Sequence, residues 1–335
     1  MPVPDGLKII FTAYCSHGSP GDVKAVSYSV GKSLIQRGVA RLVNPEEDPA
    51  RDKVIDAFMF SNEIDMLEIR LHELDPVVDH FVILESLELH GSRRTKPATL
   101  RDNWHIVKPF EAKVTHVVLE HLEPEYTDAA SGWQRENFQR QALQEPVSKL
   151  LNSPQNVVIV SDCDEIPRAD VAHRALPTVQ RLGLHRLSLD LYFYNVNCYV
   201  ENWTRSSIGT FDAYMAAGGF QAPRAHLDVP SKKVYPVIPN AGWHFSNFFS
   251  VADLKKKIET FAHSADAPFK EFVERSEAEI AAEIIAGKNI FHGTRVNQFA
   301  KRATLDPRLP TYFLRNLARF EKFTEAHFKR MYCGK

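Results

Sequence analysis

Val157-Val158-Ile159-Val160-Ser161-Asp162-Cys163-Asp164-Glu165-Ile166-Pro167 is the stretch on which the reading of this chain turns. Four consecutive apolar residues, all β-branched, predict a strand buried on both faces, as strands are in a sheet covered by helices. The run ends in two carboxylates, Asp162 and Asp164, with one residue between them, and Pro167 stops the strand from simply continuing. In open α/β sheets ligands bind outside the carboxyl ends of strands, where the loops leave. Carboxylates there suit a hard divalent cation, Mn²⁺ or Mg²⁺, which prefers oxygen ligands and would bridge a diphosphate. Asp162 would equally suit a turn or a helix cap. An Asp-x-Asp alone is a weak signal; its place directly after a buried strand gives it weight.

Outward from this stretch, strands alternate with helices. Val54–Phe60 predicts a strand, Glu63–Leu74 a helix, Phe81–Glu85 a second buried strand, Val114–Leu119 another, and Gly132–Leu150 one long helix. This alternation argues for an α/β sheet with helices on its faces. His185–Val200 reads as strand, and Val251–Ala262, Phe269–Ala286 and Tyr312–Lys329 as helices. At the front, Leu7–Tyr14 predicts a strand, Ser16–Asp22 a turn, Ser27–Arg37 a helix closed by Gly38, and Ala40–Val43 a short strand. The polar, Pro-containing residues 44–53 read as a linker, so residues 1–50 form a small appendage and residues 54–335 the main domain.

The chain has 335 residues, 44% hydrophobic and 25% charged, an ordinary balance for a folded soluble protein. A formal charge of −1 gives no sign of a nucleic-acid binder, although clustered arginines can still hold a negative ligand locally. The four cysteines show no Cys-x-x-Cys spacing, which argues against a disulfide framework or structural zinc and for a reducing, cytoplasmic location. No apolar run is long enough to span a bilayer, and the N-terminus lacks signal-peptide character.

Three further places carry chemistry. In Trp133-Gln-Arg135-Glu136-Asn-Phe-Gln139-Arg140, the pairs Arg135/Gln139 and Glu136/Arg140 share one broad helix face. Its arginines suit a nucleotide's phosphates, or a solvated face with a Glu136–Arg140 ion pair. In Asn240-Ala-Gly242-Trp243-His244-Phe245-Ser246, His244 suits the metal shell or the diphosphate, Gly242 would permit close approach, and a packed histidine is the plainer alternative. Trp203 suits stacking on an acceptor sugar, or the core.

Together these segments resemble glycosyltransferase family 17, the bisecting β-1,4-N-acetylglucosaminyltransferases. The matching stretches are Asp56–Leu74, Phe81–Ser86, Trp133–Arg140, Ser161–Pro167 and Ala241–Ser246, in consistent order over roughly residues 54–265. The resemblance implies a GT-A-type nucleotide-diphospho-sugar transferase fold, with a central mostly parallel sheet flanked by helices. It further implies a nucleotide-sugar donor (UDP-GlcNAc in known members), a glycan acceptor and inversion at the anomeric carbon. Asp162 and Asp164 match the family's metal pair, His244 the Gly-Trp-His histidine, Glu85 a position that contacts base or ribose, and Arg135 and Arg140 the basic helix. Glu63 and Asp65 belong to the first loop over the nucleotide, or cap the following helix. The catalytic base is sought among Glu201, Asp212 and Asp228, with Glu201 favoured by its neighbour Trp203. Lacking an anchor stretch, the chain is expected to act on a bacterial or phage-encoded glycan. Two alternatives stand beside this: a metal-dependent nucleotidyltransferase using the same carboxylates, and a non-catalytic carbohydrate-binding or phage structural protein.

Overall fold

The computed structural model describes residues 6–42, 52–91, 93–125, 131–225, 234–260, 267–290, 300–301 and 306–333. Contacts divide the chain into two units, Met1–Asp52 and Lys53–Lys335. In the first, β1 (Gly6–Phe11) lies between β2 (Val23–Ser27) and β3 (Ala40–Leu42), antiparallel to both. The helix Tyr28–Gln36 adds Leu34 to a small core of Ile9, Phe11 and Ala40. Gly38, at φ 71°, ends the helix in the left-handed region that glycine adopts without strain. Strand β2 has no counterpart in the sequence reading, because only its first and fourth residues, Val23 and Val26, are even partly buried and period-two alternation is absent. Most of the expected linker lies outside the described residues.

The second unit is built on a large mixed sheet. Its strands are β4 (Val54–Phe60), β5 (His80–Ser86), β6 (Val114–Leu119), β7 (Val157–Asp162), β8 (Glu165–Pro167), β9 (His185–Phe193), β10 (Cys198–Trp203), β11 (Ser207–Thr210), β12 (Val237–Ser246) and β13 (Ala300–Lys301). The order is β13-β10-β9-β11-β7-β4-β5-β6, with β12 pairing β8 and β9. Strands β6, β5, β4 and β7 are mutually parallel, whereas β11 runs antiparallel to β7 and β9. The chain proceeds from β4 to β5 and β6 on one side, and β7 then adds on the other. The strand order therefore reverses at β4/β7, and a crevice opens at their carboxyl ends.

Alternation along the parallel strands divides the core in two. Phe58, Ile83 and Ile159 face Leu67 and Leu71 of the helix Ile64–Leu74, while Ala57, Val82, Leu84, Val158 and Val160 face Leu143 and Val147. Both faces are covered, which is why β4, β5 and β7 are largely apolar, with Asp56 a buried exception in β4.

Several expected elements are divided. The long helix over 132–150 is two, Ser131–Ala142 and Gln144–Ser148, because Pro146 has no N–H to donate to the Ala142 carbonyl. The strand over 185–200 is β9 and β10, separated by a turn in which Tyr194 takes φ 68°. Helix 269–286 breaks at Ser276, whose hydroxyl and Glu279 form a capping box that starts Glu277–Ile285. Residues 312–329 fall into Thr311–Arg315, Leu317–Phe320 and Glu325–Cys333. Asn240–Ser246, for which the sequence reading assigned no strand, is the second half of β12 inside the sheet. Pro239, Asn240 (φ 51°) and Gly242 disguise it, and the register with β9 shifts between Ile238 and Gly242. Among the described residues no helix is long and apolar enough to cross a membrane.

Candidate active site

Strand β7 delivers Asp162, Cys163 and Asp164 to the crevice, and one buried guanidinium fixes how. Arg70, from the helix Ile64–Leu74, is fully buried and grips Asp56 of β4 through two bonds, Nη2–Oδ1 at 2.6 Å and Nε–Oδ2 at 2.8 Å. It also donates to the carbonyls of Asp162 (2.9 Å) and Glu165 (2.8 Å) and to Ser161 Oγ (2.7 Å). Burial opposes the Arg70 charge, but the adjoining Asp56 outweighs it and its pKa is raised. Removing one partner of such a buried pair typically costs about 3–5 kcal/mol. The acidic loop is thus tied to β4 through its own backbone.

Glu165, fully buried behind this loop, accepts from Trp203 Nε1 (2.5 Å), Ser206 Oγ (2.8 Å), Arg224 Nη1 (3.0 Å) and the Asp162 N–H (3.0 Å). Arg224 also donates to Asp162 Oδ2 (2.8 Å), and Arg140 donates to Asp162 Oδ1 (2.9 Å). Burial pushes the Asp162 carboxyl up, yet Arg140 and Arg224 more than compensate and hold it far below the usual carboxylate range. Across the crevice, His244 is placed by the β12–β8 register, opposite Glu165, with its Nε2 3.6 Å from Asp164 Oδ1. Burial disfavours both charges, but the mutual attraction prevails: His244 is raised and Asp164 lowered. The Cys163 thiol, between the two aspartates, is pushed well up by burial and is not a nucleophile at neutral pH.

Asp162, Cys163, Asp164, Arg224 and His244 line a cavity of about 530 Å³ at the carboxyl ends of β4, β5 and β7. Of the residues expected from sequence, Glu63, Asp162, Asp164, Trp203 and His244 line it. Trp203 is held by Glu165, and its ring centroid is 4.8 Å from that of His244. Glu63 Oε2 accepts from the Ser61 and Asn62 N–H groups, both at 3.1 Å, just ahead of the helix that follows.

The other expectations need correction. Glu85 is buried with its oxygens taken by Thr99 and Leu100 N–H, Lys96 and His116, so it anchors a loop and does not line the cavity. Arg135 donates to the carbonyls of His90 (2.6 Å) and Pro124 (3.2 Å), and Arg140 serves Glu136, Gln221 and Asp162; buried, neither presents its guanidinium to the cavity. Asp65 pairs with Lys322 at 2.7 Å in a neighbouring depression. Glu201 is exposed on β10, outside the cavity. Asp212 leaves the sheet beyond Thr210, which pairs with Val157 at the start of β7, so roughly 16 Å of strand separates it from Asp162. Asp228 lies outside the described residues. Gly242 does approach something closely, but it is strand β8: a Cβ there would collide with the Ile166 carbonyl oxygen. Residues the sequence reading missed are Arg70, Asp56, Glu165 and Arg224. The first three stood within the quoted motifs; Arg224, on the short helix Ala222–Ala225, carried no local signal.

A carboxylate-bearing cavity at the point where strand order reverses is where an α/β fold binds a nucleotide, and comparison with known proteins agrees in family. The description that matches is "Glycosyltransferase family 17", over residues 20–298. The chain belongs to glycosyltransferase family 17. The match begins within the front unit, earlier than residue 54, where the motifs alone begin. Among curated family 17 relatives, the rat (Rattus norvegicus) β-1,4-mannosyl-glycoprotein 4-β-N-acetylglucosaminyltransferase is 27% identical over 314 residues, covering 86% of this chain and 57% of its own length. The human (Homo sapiens) protein of the same name is 28% identical, covering 84% and 56%. The chain thus spans a little over half the length of the relatives it matches. A solved structure of glucosyl-3-phosphoglycerate synthase from Mycobacterium tuberculosis overlaps 63% of this chain and 79% of its own at 12% identity and a TM-score of 0.34. An overlap that low carries no argument about this site.

The family implies a divalent cation, and the residues present fit one. Asp164 offers a carboxylate, and His244 an imidazole whose Nδ1 has no hydrogen-bond partner among the described residues. Such an oxygen-and-nitrogen set suits Mn²⁺ better than Mg²⁺. Asp162 stands beside them, oriented by two arginines. Among the described residues no three His, Cys, Asp or Glu are grouped around one point.

Proposed function

We propose that this chain transfers a sugar, N-acetylglucosamine from UDP-GlcNAc, onto a glycan hydroxyl with inversion, on a GT-A-type fold. The observation that carries the reading is the Asp162–Asp164 loop, held by Arg70 at the β4/β7 crevice and facing His244 across a cavity of about 530 Å³. Family membership and the names of the relatives support the sugar and the acceptor class.

Asp164 and His244 would hold Mn²⁺ or Mg²⁺, which when bound supplies a Lewis acid for the leaving diphosphate. Arg224, on the cavity wall, opposes the negative charge that develops there and keeps Asp162 oriented. The hydroxyl proton passes to a carboxylate on the wall. Glu88 and Glu136 are paired to Arg93 and Arg140, whereas among the described residues Glu63 is held by no arginine and stands 3.7 Å from Lys257, which makes Glu63 the acceptor of that proton.

Release of UDP from UDP-GlcNAc, measured over a panel of glycan acceptors with Mn²⁺, tests this. Turnover should vanish in EDTA and in Asp164→Ala. Glu63→Gln should lose roughly 10²–10⁴-fold in kcat while UDP binding persists. Turnover of nucleoside triphosphates without sugar transfer would instead favour a nucleotidyltransferase. Glycan binding indifferent to metal and to Asp164→Ala would favour a carbohydrate-binding protein.

A further inference from the structure

Beyond the acidic loop the cavity continues along the end of β5, where His90 and Lys96 face Trp133, Glu136 and Gln139 of the helix Ser131–Ala142. Those three helix residues recur at i, i+3 and i+6, so they form one row along the wall. Trp133, at the mouth, is 44% exposed.

His90 is held at both ends by this helix. Its carbonyl accepts from Arg135 Nε at 2.6 Å, and its ring Nε2 lies 2.6 Å from Gln139 Oε1. Which proton His90 carries follows from the amide of Gln139. Nε2 of Gln139 donates to the Leu84 carbonyl at 3.3 Å, and a carbonyl can only accept, so Oε1 is the atom turned to His90. Oε1 in turn can only accept, so Nε2 of His90 carries the ring hydrogen and Nδ1 is a lone-pair acceptor. Nδ1 meets no hydrogen-bond partner among the described residues. Burial, opposed by Glu136 and Gln139, leaves the His90 pKa below its ordinary value, which keeps the neutral form.

We propose that His90, its tautomer fixed by Gln139 and its backbone by Arg135, reads the donor's nucleobase by accepting from a ring N–H, selecting uracil or guanine over cytosine or adenine. Uracil N3 and guanine N1 carry a hydrogen; cytosine N3 and adenine N1 carry a lone pair that would face the lone pair of Nδ1. The Trp133 ring provides the face on which such a base stacks. His90 is here a specificity-determining residue, and Arg135 and Gln139 are positioning residues. The inference rests on the nucleotide-sugar reading above, and its failure is separable from the failure of that reading.

The experiment is equilibrium binding of UDP, GDP, CDP, ADP and 3-methyluridine diphosphate to the full chain with Mn²⁺, repeated with His90→Ala and Gln139→Leu. In the wild-type chain UDP or GDP should bind at least about 10-fold more tightly than CDP and ADP, and the two arms show which base is taken. UDP should exceed its 3-methyl analogue, which lacks the N–H, by a similar factor. His90→Ala should bring these ratios near one, and Gln139→Leu should narrow them, while both keep affinity for the diphosphate. The wild-type comparison requires no variant to fold. Equal binding of UDP and 3-methyl-UDP, or ratios that survive His90→Ala, would overturn the role of His90 and leave sugar transfer standing. Binding of no nucleoside diphosphate would overturn both.

Discussion

Glu85 is a residue whose charge is used by the fold. Its carboxylate, with no exposed surface, accepts from the N–H groups of Thr99 (2.6 Å) and Leu100 (3.3 Å), from Lys96 (3.3 Å) and from His116 (3.2 Å). Burial alone would raise its pKa; the four donors more than offset this, and it is lowered. A carboxyl whose folded pKa is depressed contributes stability above the unfolded value, about 4.3, and that stability is lost as pH falls through the folded value. Glu85→Gln should therefore cost about 1–3 kcal/mol at neutral pH and flatten the acid limb of the stability–pH curve. Urea unfolding of both proteins from neutral pH to about pH 3 measures this, and parallel curves would refute it. The family resemblance implied a base or ribose contact for Glu85, and nothing in the sequence signalled its other use, because the segment that donates to it lies 14 residues downstream.

At the scale of elements, the crossing of β8 and β12 sets the position of the acidic loop. Gly242 pairs with Pro167, and a Cβ on it would collide with the Ile166 carbonyl oxygen and lie 2.8 Å from Pro167 Cα. Backbone cannot yield as a flexible side chain can, so Gly242→Ala must push β8 away from β12. Because His244 pairs with Glu165 in the same ladder, the shift reaches both sides of the cavity. The expected result is a loss of about 1–3 kcal/mol in stability, together with a greater loss of the proposed sugar transfer than folding accounts for. A variant with wild-type melting and turnover would show that the two strands can separate harmlessly. The helix Ser131–Ala142 makes a related point. Its shared Arg135/Gln139 face was legible, but that face grips His90 and the loop backbone instead of phosphate.

At the scale of the whole molecule, the chain divides at Lys53. The main unit has its own sheet and cores, and Lys53 belongs to it through its carbonyl, which accepts from Val157 N–H (2.8 Å), and its Nζ, which donates to Leu150 O (2.7 Å). A chain starting at Lys53 is expected to melt within about 4 °C of the full chain and to keep the proposed sugar transfer. Calorimetry and the release assay check this; a chain that failed to fold would show the front unit to be part of the catalytic fold, as the family match from residue 20 allows.

The sequence by itself determined the parallel strands and the place of the carboxylates. A strand covered on both faces must be largely apolar, and β4, β5 and β7 announce themselves without knowledge of any partner. Asp162 and Asp164 follow from position alone, at the end of such a strand. What each polar side chain does was decided only by tertiary structure, since a hydrogen bond needs a partner within about 3 Å and the partners lie far apart in the chain. Arg70 reaches the loop 92 residues away, Arg224 reaches Asp162 across 62, and Gln139 reaches His90 across 49. Local periodicity carries no record of such distances. The strand β12 was hidden for a related reason: its bulge and glycine accommodate neighbouring backbone, and in sequence that accommodation looks like a loop.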